Sequence, residues 1–223
     1  SLDSLGFSKH NQEIILRAIR QPHGMILATG PTGSGKTTTL YTLIKMLNTP
    51  DTAIITIEDP IEYAMSGVQQ VQVNARSGLT FASGLRSFLR QDPNIIMVGE
   101  IRDSETASLA VNTALTGHLL LSTLHTNDAA TTLPRLLDMK IEPFLVASTV
   151  NIALGQRLVR KICTHCKKEK KFTPAEEKSL AESIPENFLR DNAKSFSYGA
   201  GCAECNDTGY RGRIGIHEVL SVD

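Results

Sequence analysis

Short apolar runs alternate with amphipathic stretches over the first two thirds of the chain. Five runs predict strands, at 25–29, 53–58, 68–74, 94–99 and 118–124, and several are apolar at nearly every position, as in strands covered on both faces. Helical spacing of apolar residues predicts helices at 8–20, 35–48, 80–91, 104–116, 128–139 and 143–155. This alternation predicts an α/β fold with a central, mainly parallel sheet flanked by helices.

The apolar periodicity weakens near residue 157, where a stretch that carries lysines and cysteines begins. We therefore expect three parts: an N-terminal helical lead-in at 1–20, an α/β core at 21–157, and a small cysteine-bearing subdomain at 158–223. A chain of 223 residues is long enough to bury a full α/β core beside such a subdomain. A further strand at 214–220 lies so close to the C-terminus that we expect a fragment of a longer protein.

The charges of the chain balance, with 23 basic and 23 acidic side chains. No net basic charge draws it to nucleic acid or to anionic lipid. No apolar run approaches the roughly 20 residues that a membrane helix requires, and the first residues lack the basic flank and apolar core of a secretion signal. We expect a soluble, cytoplasmic protein.

A glycine-rich segment follows the first predicted strand. Residues 30–37 read Gly-Pro-Thr-Gly-Ser-Gly-Lys-Thr, which fits the phosphate-binding loop pattern between a strand and a helix. Loop amides and the helix N-terminus would hold phosphates, Lys36 would reach the β- and γ-phosphates, and Thr37 would ligate Mg²⁺. The sequence therefore predicts a nucleotide site formed by Gly30, Pro31, Thr32, Gly33, Ser34, Gly35, Lys36, Thr37 and Thr38.

Acidic side chains close two other predicted strands. Glu100 follows an apolar run, and because ligands bind beyond the carboxyl ends of parallel strands, we expect it near the γ-phosphate, where it could activate water. Gly99 stands where the usual second nucleotide motif has an Asp that holds Mg²⁺. We expect the missing carboxylate to come from Glu58, Asp59 or Glu62, for which a solvated turn is the alternative interpretation.

One histidine and three arginines complete the candidate set. His125 follows the strand at 118–124, so it is expected at the same edge, where it could report the nucleotide state or be merely structural. Arg76 precedes the helix at 80–91, and Arg86 and Arg90 lie on the face of this helix opposite its apolar side. They could act on a neighbouring subunit's nucleotide, with ordinary solvated helix charges as the alternative.

Two Cys-x-x-Cys pairs, separated by 35 residues, predict a structural zinc site formed by Cys163, Cys166, Cys202 and Cys205. Disulfides are not expected in a reducing compartment. Reduced cysteines without metal, or a redox pair, are the alternatives. Zinc would stabilise an insertion too polar to build its own core. His165 is not expected to be a ligand, because four thiolates already complete a tetrahedron.

In their order, these motifs resemble those of the secretion and pilus-assembly ATPases of the type II secretion/type IV pilus superfamily. The similarity runs through 26–40, 56–63, 91–103 and 117–129, and extends past the cysteines to 210–219. The resemblance implies a RecA-like P-loop ATPase core with a tetracysteine zinc subdomain, and ATP, Mg²⁺ and Zn²⁺ as cofactors. By similarity, 56–63 is the aspartate box, 91–103 an atypical Walker B motif and 117–129 the histidine box.

The resemblance also implies a role for each candidate. Glu100 is the expected catalytic base, Glu58 and Glu62 assist with metal and water, and His125 senses the γ-phosphate. The arginines that lie between the boxes are Arg76, Arg86 and Arg90. The cysteine unit is typical of assembly-type members and is lacking in pilus-retraction motors, so we favour assembly or secretion over retraction.

The implied partners are further copies of the chain, in a homohexameric ring, and an inner-membrane platform. Full-length members carry an N-terminal domain and a helical C-terminal tail outside the similar stretch, so we do not expect this chain to form the full ring alone. The expected location is the cytoplasm, peripheral to the bacterial inner membrane, with no nucleic-acid partner.

Two other functions remain open from the sequence. A nucleic-acid translocase can be built on the same core, but the zero net charge, the few aromatic residues and the absence of a recognisable DNA-reading module disfavour it. A non-motor nucleotide-binding regulator, or a small-molecule kinase, would need an acceptor pocket, and none is recognisable in the sequence.

Overall fold

The computed structural model of the protein describes residues 1–183 and 195–222. These residues form two compact units, one from residues 1–158 together with the segment that starts at Gly215, and one from Val159–Ile214. The segment from Gly215 belongs to the first unit because its strand joins the sheet of that unit. The sequence pattern predicts instead that all of 158–223 belongs to the cysteine subdomain. The division of the chain into 1–20, 21–157 and 158–223 stays a prediction.

The first unit alternates strands and helices. Its elements are α1 (Leu2–Leu5), α2 (Lys9–Ala18), β1 (Gly24–Thr29), α3 (Lys36–Leu47), β2 (Ile54–Glu58), β3 (Gln69–Gln72), α4 (Phe81–Phe88), β4 (Ile95–Val98), α5 (Ser104–Leu115), β5 (Leu119–Leu124), α6 (Thr132–Asp138) and α7 (Pro143–Thr149). The strand β6 (Val150–Ile162) begins in this unit and runs into the second unit. The second unit contains β7 (Lys167–Lys171), α8 (Pro174–Ser183) and β8 (Ser195–Gly199), and β9 (Tyr210–Ser221) returns to the first.

The central sheet has the strand order β3-β2-β4-β5-β1-β6-β9. The pairings from β3 to β6 are parallel, which confirms the predicted mainly parallel sheet. Every residue of β1, β2, β4 and β5 is buried. Successive side chains of a strand point to opposite faces, so Met25 and Leu27 join one apolar cluster with α4, α5 and α7. Ile26 and Ala28 join the other cluster, with α1, α2 and α3.

The predicted helix at 143–155 is wrong beyond Thr149, where α7 ends and β6 begins. β6 pairs with β1 from Met25↔Val150 to Thr29↔Gly155 and is buried up to Gln156 except for the half-buried Asn151. A strand covered on both faces is apolar at nearly every position, and a short buried helix can have the same composition. Residues 150–155 form a strand and not a helix because they pair with the edge of β1 that β5 leaves free.

In the second unit, β7 and β8 pair antiparallel from Lys167↔Gly199 to Lys171↔Ser195. The rings of Phe172 and Phe196 stack with centroids 4.8 Å apart, and the guanidinium of Arg160 lies 4.0 Å from the centre of the Tyr210 ring. Within 1–183 and 195–222, no helix is both long and apolar enough to cross a membrane.

Candidate functional site

The phosphate-binding loop, Glu58, Glu100 and His125 lie at one edge of the sheet. Since β1, β2, β4 and β5 are parallel, their carboxyl ends face the same edge, where α/β proteins bind ligands. The phosphate-binding loop follows β1, and Glu58 is the last residue of β2. Glu100 follows β4, and His125 comes directly after β5. The sheet order puts β5 between β1 and β4, so His125 lies between the loop and Glu100.

The phosphate-binding loop is closed by bonds within itself. The Ser34 N–H donates to the Pro31 carbonyl at 3.2 Å, and the ammonium of Lys36 donates to the carbonyls of Gly30 at 2.8 Å and Pro31 at 3.1 Å. Burial lowers the pKa of Lys36, and the nearby Glu100 carboxylate partly opposes this shift. The charge of the predicted base therefore acts on the cationic side chain of the loop.

Other loop groups remain available to a ligand. The Ser34 side chain is buried, and its hydroxyl has no hydrogen-bond partner among the described residues. Thr37, in the first turn of α3, is half-buried, whereas Pro31, Thr32, Gly33 and Thr38 are exposed. A buried hydroxyl without a partner is costly to maintain unless a ligand or water completes it. The loop therefore has the donors that an anion would need.

Glu100 is the centre of a group of polar side chains. It is 8% exposed, and its carboxylate pairs with Arg102 through Oε1 and with His125 Nε2 through Oε2, the latter at 3.0 Å. The hydrogen bond to Glu100 raises the pKa of Arg102, against the effect of burial, and the charges of Glu100 and Asp59 add to the rise. Both oxygens of the predicted base are thus held by basic side chains.

One hydroxyl group of β5 and one of β1 hold the segments before Glu100 and after β5 in place. Thr123 donates to the Gly99 carbonyl at 2.8 Å, which holds the backbone just before Glu100. Thr126 donates its N–H to the Thr29 hydroxyl at 3.0 Å, and that hydroxyl donates to the Thr126 carbonyl at 2.9 Å. The segment after β5 is therefore bonded both to β1, beside the phosphate-binding loop, and to Glu100 through His125.

Glu58 is buried in a network of its own. Its carboxylate accepts from the Tyr41 hydroxyl, from Thr56 at 2.5 Å and from the Gln70 amide at 3.1 Å. Burial, and then the hydrogen bond to Glu58, raise the pKa of Tyr41. Glu62 is exposed, and its N–H donates to the Tyr41 hydroxyl at 3.4 Å. Tyr41 therefore connects two of the predicted acidic residues.

The three candidate arginines lie on exposed surface. Arg76 is in a short 3₁₀ turn, Ala75–Ser77, and Arg90 follows the end of α4. Arg86 pairs with Glu105 of its own chain at 2.7 Å, and both side chains are more than half exposed. Such an exposed pair contributes little to stability.

The four predicted cysteine ligands form one cluster. Their sulfur atoms all lie within 4.8 Å of one another, and no histidine belongs to the group. The sulfur–sulfur distance is 3.8 Å for Cys163–Cys202 and Cys166–Cys205, and 3.6 Å for Cys202–Cys205. Four thiolates arranged tetrahedrally around zinc at about 2.3 Å would have sulfurs about 3.8 Å apart. The cluster has the size and the chemistry of a metal site.

The thiols of the cluster differ in acidity. Burial, together with hydrogen bonds to Cys205 and Cys163, raises the pKa of Cys202 to about 12. Burial also works against ionisation of Cys205, but hydrogen bonds lower the pKa of this thiol to about 7, among them one from the Gly209 N–H to the sulfur at 3.3 Å. Of these two thiols, that of Cys205 therefore ionises more readily.

Sequence reasoning missed several residues of the site, namely Arg102, Tyr41, Thr126 and Gln156. Gln156 lies in β6 beneath the phosphate-binding loop, and its amide bonds to the Ser34 carbonyl and to Thr39. One signal was present, because a glutamine that follows an apolar run is a candidate for a buried amide with a specific partner. Because residues 143–155, just before Gln156, have the pattern of a helix, the sequence does not place Gln156 beside β1.

A sequence model of the family described as "Type II/IV secretion system protein" matches residues 1–223. The chain belongs to this family. It is 52% identical over 219 residues to the type IV pilus assembly ATPase PilB of Pseudomonas aeruginosa. It is 51% identical over 222 residues to the type II secretion system ATPase E of Vibrio cholerae. The matches cover 98% and 100% of the chain, but only 38% and 43% of the relatives.

A solved structure of the pilus retraction motor PilT with bound ADP is also similar. It superimposes with a TM-score of 0.64 at 39% identity, over 73% of this chain and 49% of that one. This similarity and the family match confirm the predicted RecA-like α/β class. The chain spans about two fifths of the length of the two curated relatives.

Proposed function

We propose that this chain is the ATP-hydrolysing motor domain of an ATPase that powers type II secretion or type IV pilus assembly. The observation that carries the proposal is the position of Glu100, which follows β4 at the edge of the sheet that carries the phosphate-binding loop and lies 3.0 Å from His125. A loop for a triphosphate beside a carboxylate at the strand ends is what hydrolysis requires, because water must be activated next to the γ-phosphate.

The proposal assigns a separate role to each part of the site. Residues 30–38 bind the phosphates, with Lys36 leaving its loop carbonyls to reach the β- and γ-phosphates. Glu100 orients and deprotonates water, and His125 senses the γ-phosphate. Glu58 and Glu62 assist with metal and water, with Glu58 acting from its bonded position beside Tyr41.

The Thr37 hydroxyl, in the first turn of α3, would be the protein ligand of Mg²⁺. Bound Mg²⁺ supplies charge neutralisation at the phosphates. The four cysteines would hold a structural Zn²⁺, supported by their sulfur spacing.

The remaining parts of the proposal rest on family membership. The domain would work in a homohexameric ring in the cytoplasm, peripheral to the inner membrane, and pass its motion to a membrane platform. Arg76, Arg86 or Arg90 would act on the nucleotide of a neighbouring subunit, with Arg86 first leaving Glu105. The chain is 52% identical to PilB, which is named a pilus assembly ATPase, and 39% identical to the pilus retraction motor PilT. The higher identity to PilB supports assembly over retraction.

Measurement of ATP binding and of phosphate release with the purified chain tests the proposal. We expect Glu100→Gln to keep ATP binding and to lower turnover by about 10²- to 10⁴-fold, the usual contribution of a general base. Lys36→Ala should lose both binding and turnover. Glu13→Gln, on the exposed side of α2, is the control and should change neither. Near-normal hydrolysis by Glu100→Gln would exclude this residue as the base.

A further inference from the structure

The side chain of Gln156 is buried directly beneath the phosphate-binding loop. It follows Gly155, the last residue of β6 that pairs with β1, and is 4% exposed. Its Nε2 donates to the Ser34 carbonyl at 2.8 Å, and its Oε1 accepts from the Thr39 hydroxyl at 2.7 Å. One amide therefore joins the loop to the first turns of α3.

Two glycines of the loop motif pack against this residue. A Cβ atom at Gly30 would overlap the main-chain carbonyl of Gln156, and one at Gly35 would lie 2.8 Å from its Nε2. Both glycines also have positive φ angles, 137° and 90°. Two features therefore require glycine at these positions: the close approach of Gln156 and the positive φ angles of the loop backbone.

The bond to the Ser34 carbonyl has a geometrical consequence. In a planar trans peptide the C=O and the following N–H point in opposite directions. Because the Ser34 carbonyl is directed to Gln156, the Gly35 N–H is directed away from it. A rotation of this peptide would remove the Gly35 N–H from the set of amides that surround an anion.

We infer that Gln156 is a positioning residue that holds the phosphate-binding loop in its anion-accepting conformation through the Ser34 carbonyl. The inference rests on the proposed nucleotide binding. Gln156 acts on the loop and not on the γ-phosphate, so its effect is equal for ADP and ATP. Its loss leaves a buried carbonyl unpaired and lets the Ser34–Gly35 peptide rotate.

The test measures dissociation constants of ADP and ATP by calorimetry for the full chain and for two nearly isosteric variants. Gln156→Met removes the bonds to Ser34 and Thr39, and we expect both nucleotides to bind about tenfold more weakly, with turnover at saturation little changed. Gln12→Met is the matched control, since the Gln12 amide also bonds a backbone carbonyl, that of Phe7 at 2.9 Å, in the N-terminal region. It should bind both nucleotides like the unmodified chain.

Gln156→Glu separates positioning from packing. An ionised glutamate at this position repels the Ser34 carbonyl, whereas a protonated one donates to it again. A buried carboxyl group has a raised pKa, so we expect the affinity of this variant, relative to the unmodified chain, to recover between about pH 8 and about pH 6. The Gln156→Met variant should show no such recovery.

The outcomes distinguish failure of the inference from failure of the proposed function. If Gln156→Met folds and binds both nucleotides as tightly as Gln12→Met, the inference is wrong and the proposed function stands. If Gln156→Met does not fold, a folded Gln156→Glu chain whose relative affinity is independent of pH equally overturns the inference. If the unmodified chain itself binds no nucleotide, the proposed function fails, and the inference fails with it.

Discussion

His125 Nε2 lies 3.0 Å from Oε2 of Glu100, while the other oxygen of this carboxylate is paired with Arg102. The same segment after β5 is bonded to Thr29, the residue before the phosphate-binding loop, through Thr126. The loop and the predicted base are therefore joined through one short piece of chain. A nucleotide that displaced His125 or Arg102 from Glu100 would free an oxygen of the carboxylate for water.

Replacement of His125 by asparagine should separate its role from that of the loop. We expect ATP binding to remain and turnover to fall by about tenfold or more, because the group that orients Glu100 is shortened. His118→Asn, at the opposite end of β5, is the control. Steady-state and binding measurements on both variants check this, and equal turnover in the two would leave His125 with a structural role only.

The Tyr41 hydroxyl should contribute to stability through Glu58. Tyr41→Phe removes the donor to a carboxylate that is 2% exposed, and we expect a loss of about 1–3 kcal/mol in the free energy of unfolding. Urea denaturation measures it. Tyr63→Phe is a matched control, because the Tyr63 ring packs edge-on against Tyr41 but is 46% exposed.

If Glu58 also assists catalysis, Tyr41→Phe should lower turnover as well, since the carboxylate loses one of its three donors. Unchanged turnover together with lower stability would assign the network to folding alone.

His217 should make stability depend on pH. Its ring stacks on Phe7 with centroids 3.6 Å apart, and burial lowers its pKa below the ordinary 6.5, with the backbone of Gly6 partly opposing the shift. Between the lowered value and 6.5, the unfolded chain binds more protons at this position than the folded chain. Stability should therefore decrease as the pH falls through this window.

Melting temperatures of the unmodified chain and of His217→Phe, measured across that window, check this prediction. The variant keeps an aromatic ring against Phe7 but cannot titrate, so its curve should be flatter with pH. His10→Phe, at an exposed position, should keep the original dependence. A parallel curve for His217→Phe would contradict the assignment.

Removal of metal should destabilise the second unit. If the four cysteines hold Zn²⁺, a strong chelator should lower the melting temperature by about 5 °C or more. The free energy of metal binding adds to the free energy of folding in a unit of this kind, and chelation removes it. Zinc content, measured by atomic absorption, should fall in Cys202→Ser. Nucleotide binding should persist after chelation, since none of the ligands belongs to the phosphate-binding loop. No change on chelation would argue against a structural metal.

Local features of the sequence determined most of the α/β core and the strand-end positions of the main candidate residues. The strand at 24–29, the loop at 30–37 and the helix after it were predictable because apolar runs, glycines and helical periodicity act over short distances. Glu100 and His125 were predictable as strand-end residues, since parallel strands carry their ligands at one edge. The Cys-x-x-Cys spacing of the two cysteine pairs was enough to predict a metal site.

Only the tertiary structure decided which strand ends are neighbours. The order β4-β5-β1-β6 brings His125 to Glu100, Thr126 to Thr29 and Gln156 to Ser34. It also made a strand of 150–155, because that run pairs with the free edge of β1. Apolar patterning specifies burial but not the partner, and pairing between distant segments depends on the packing of the whole sheet.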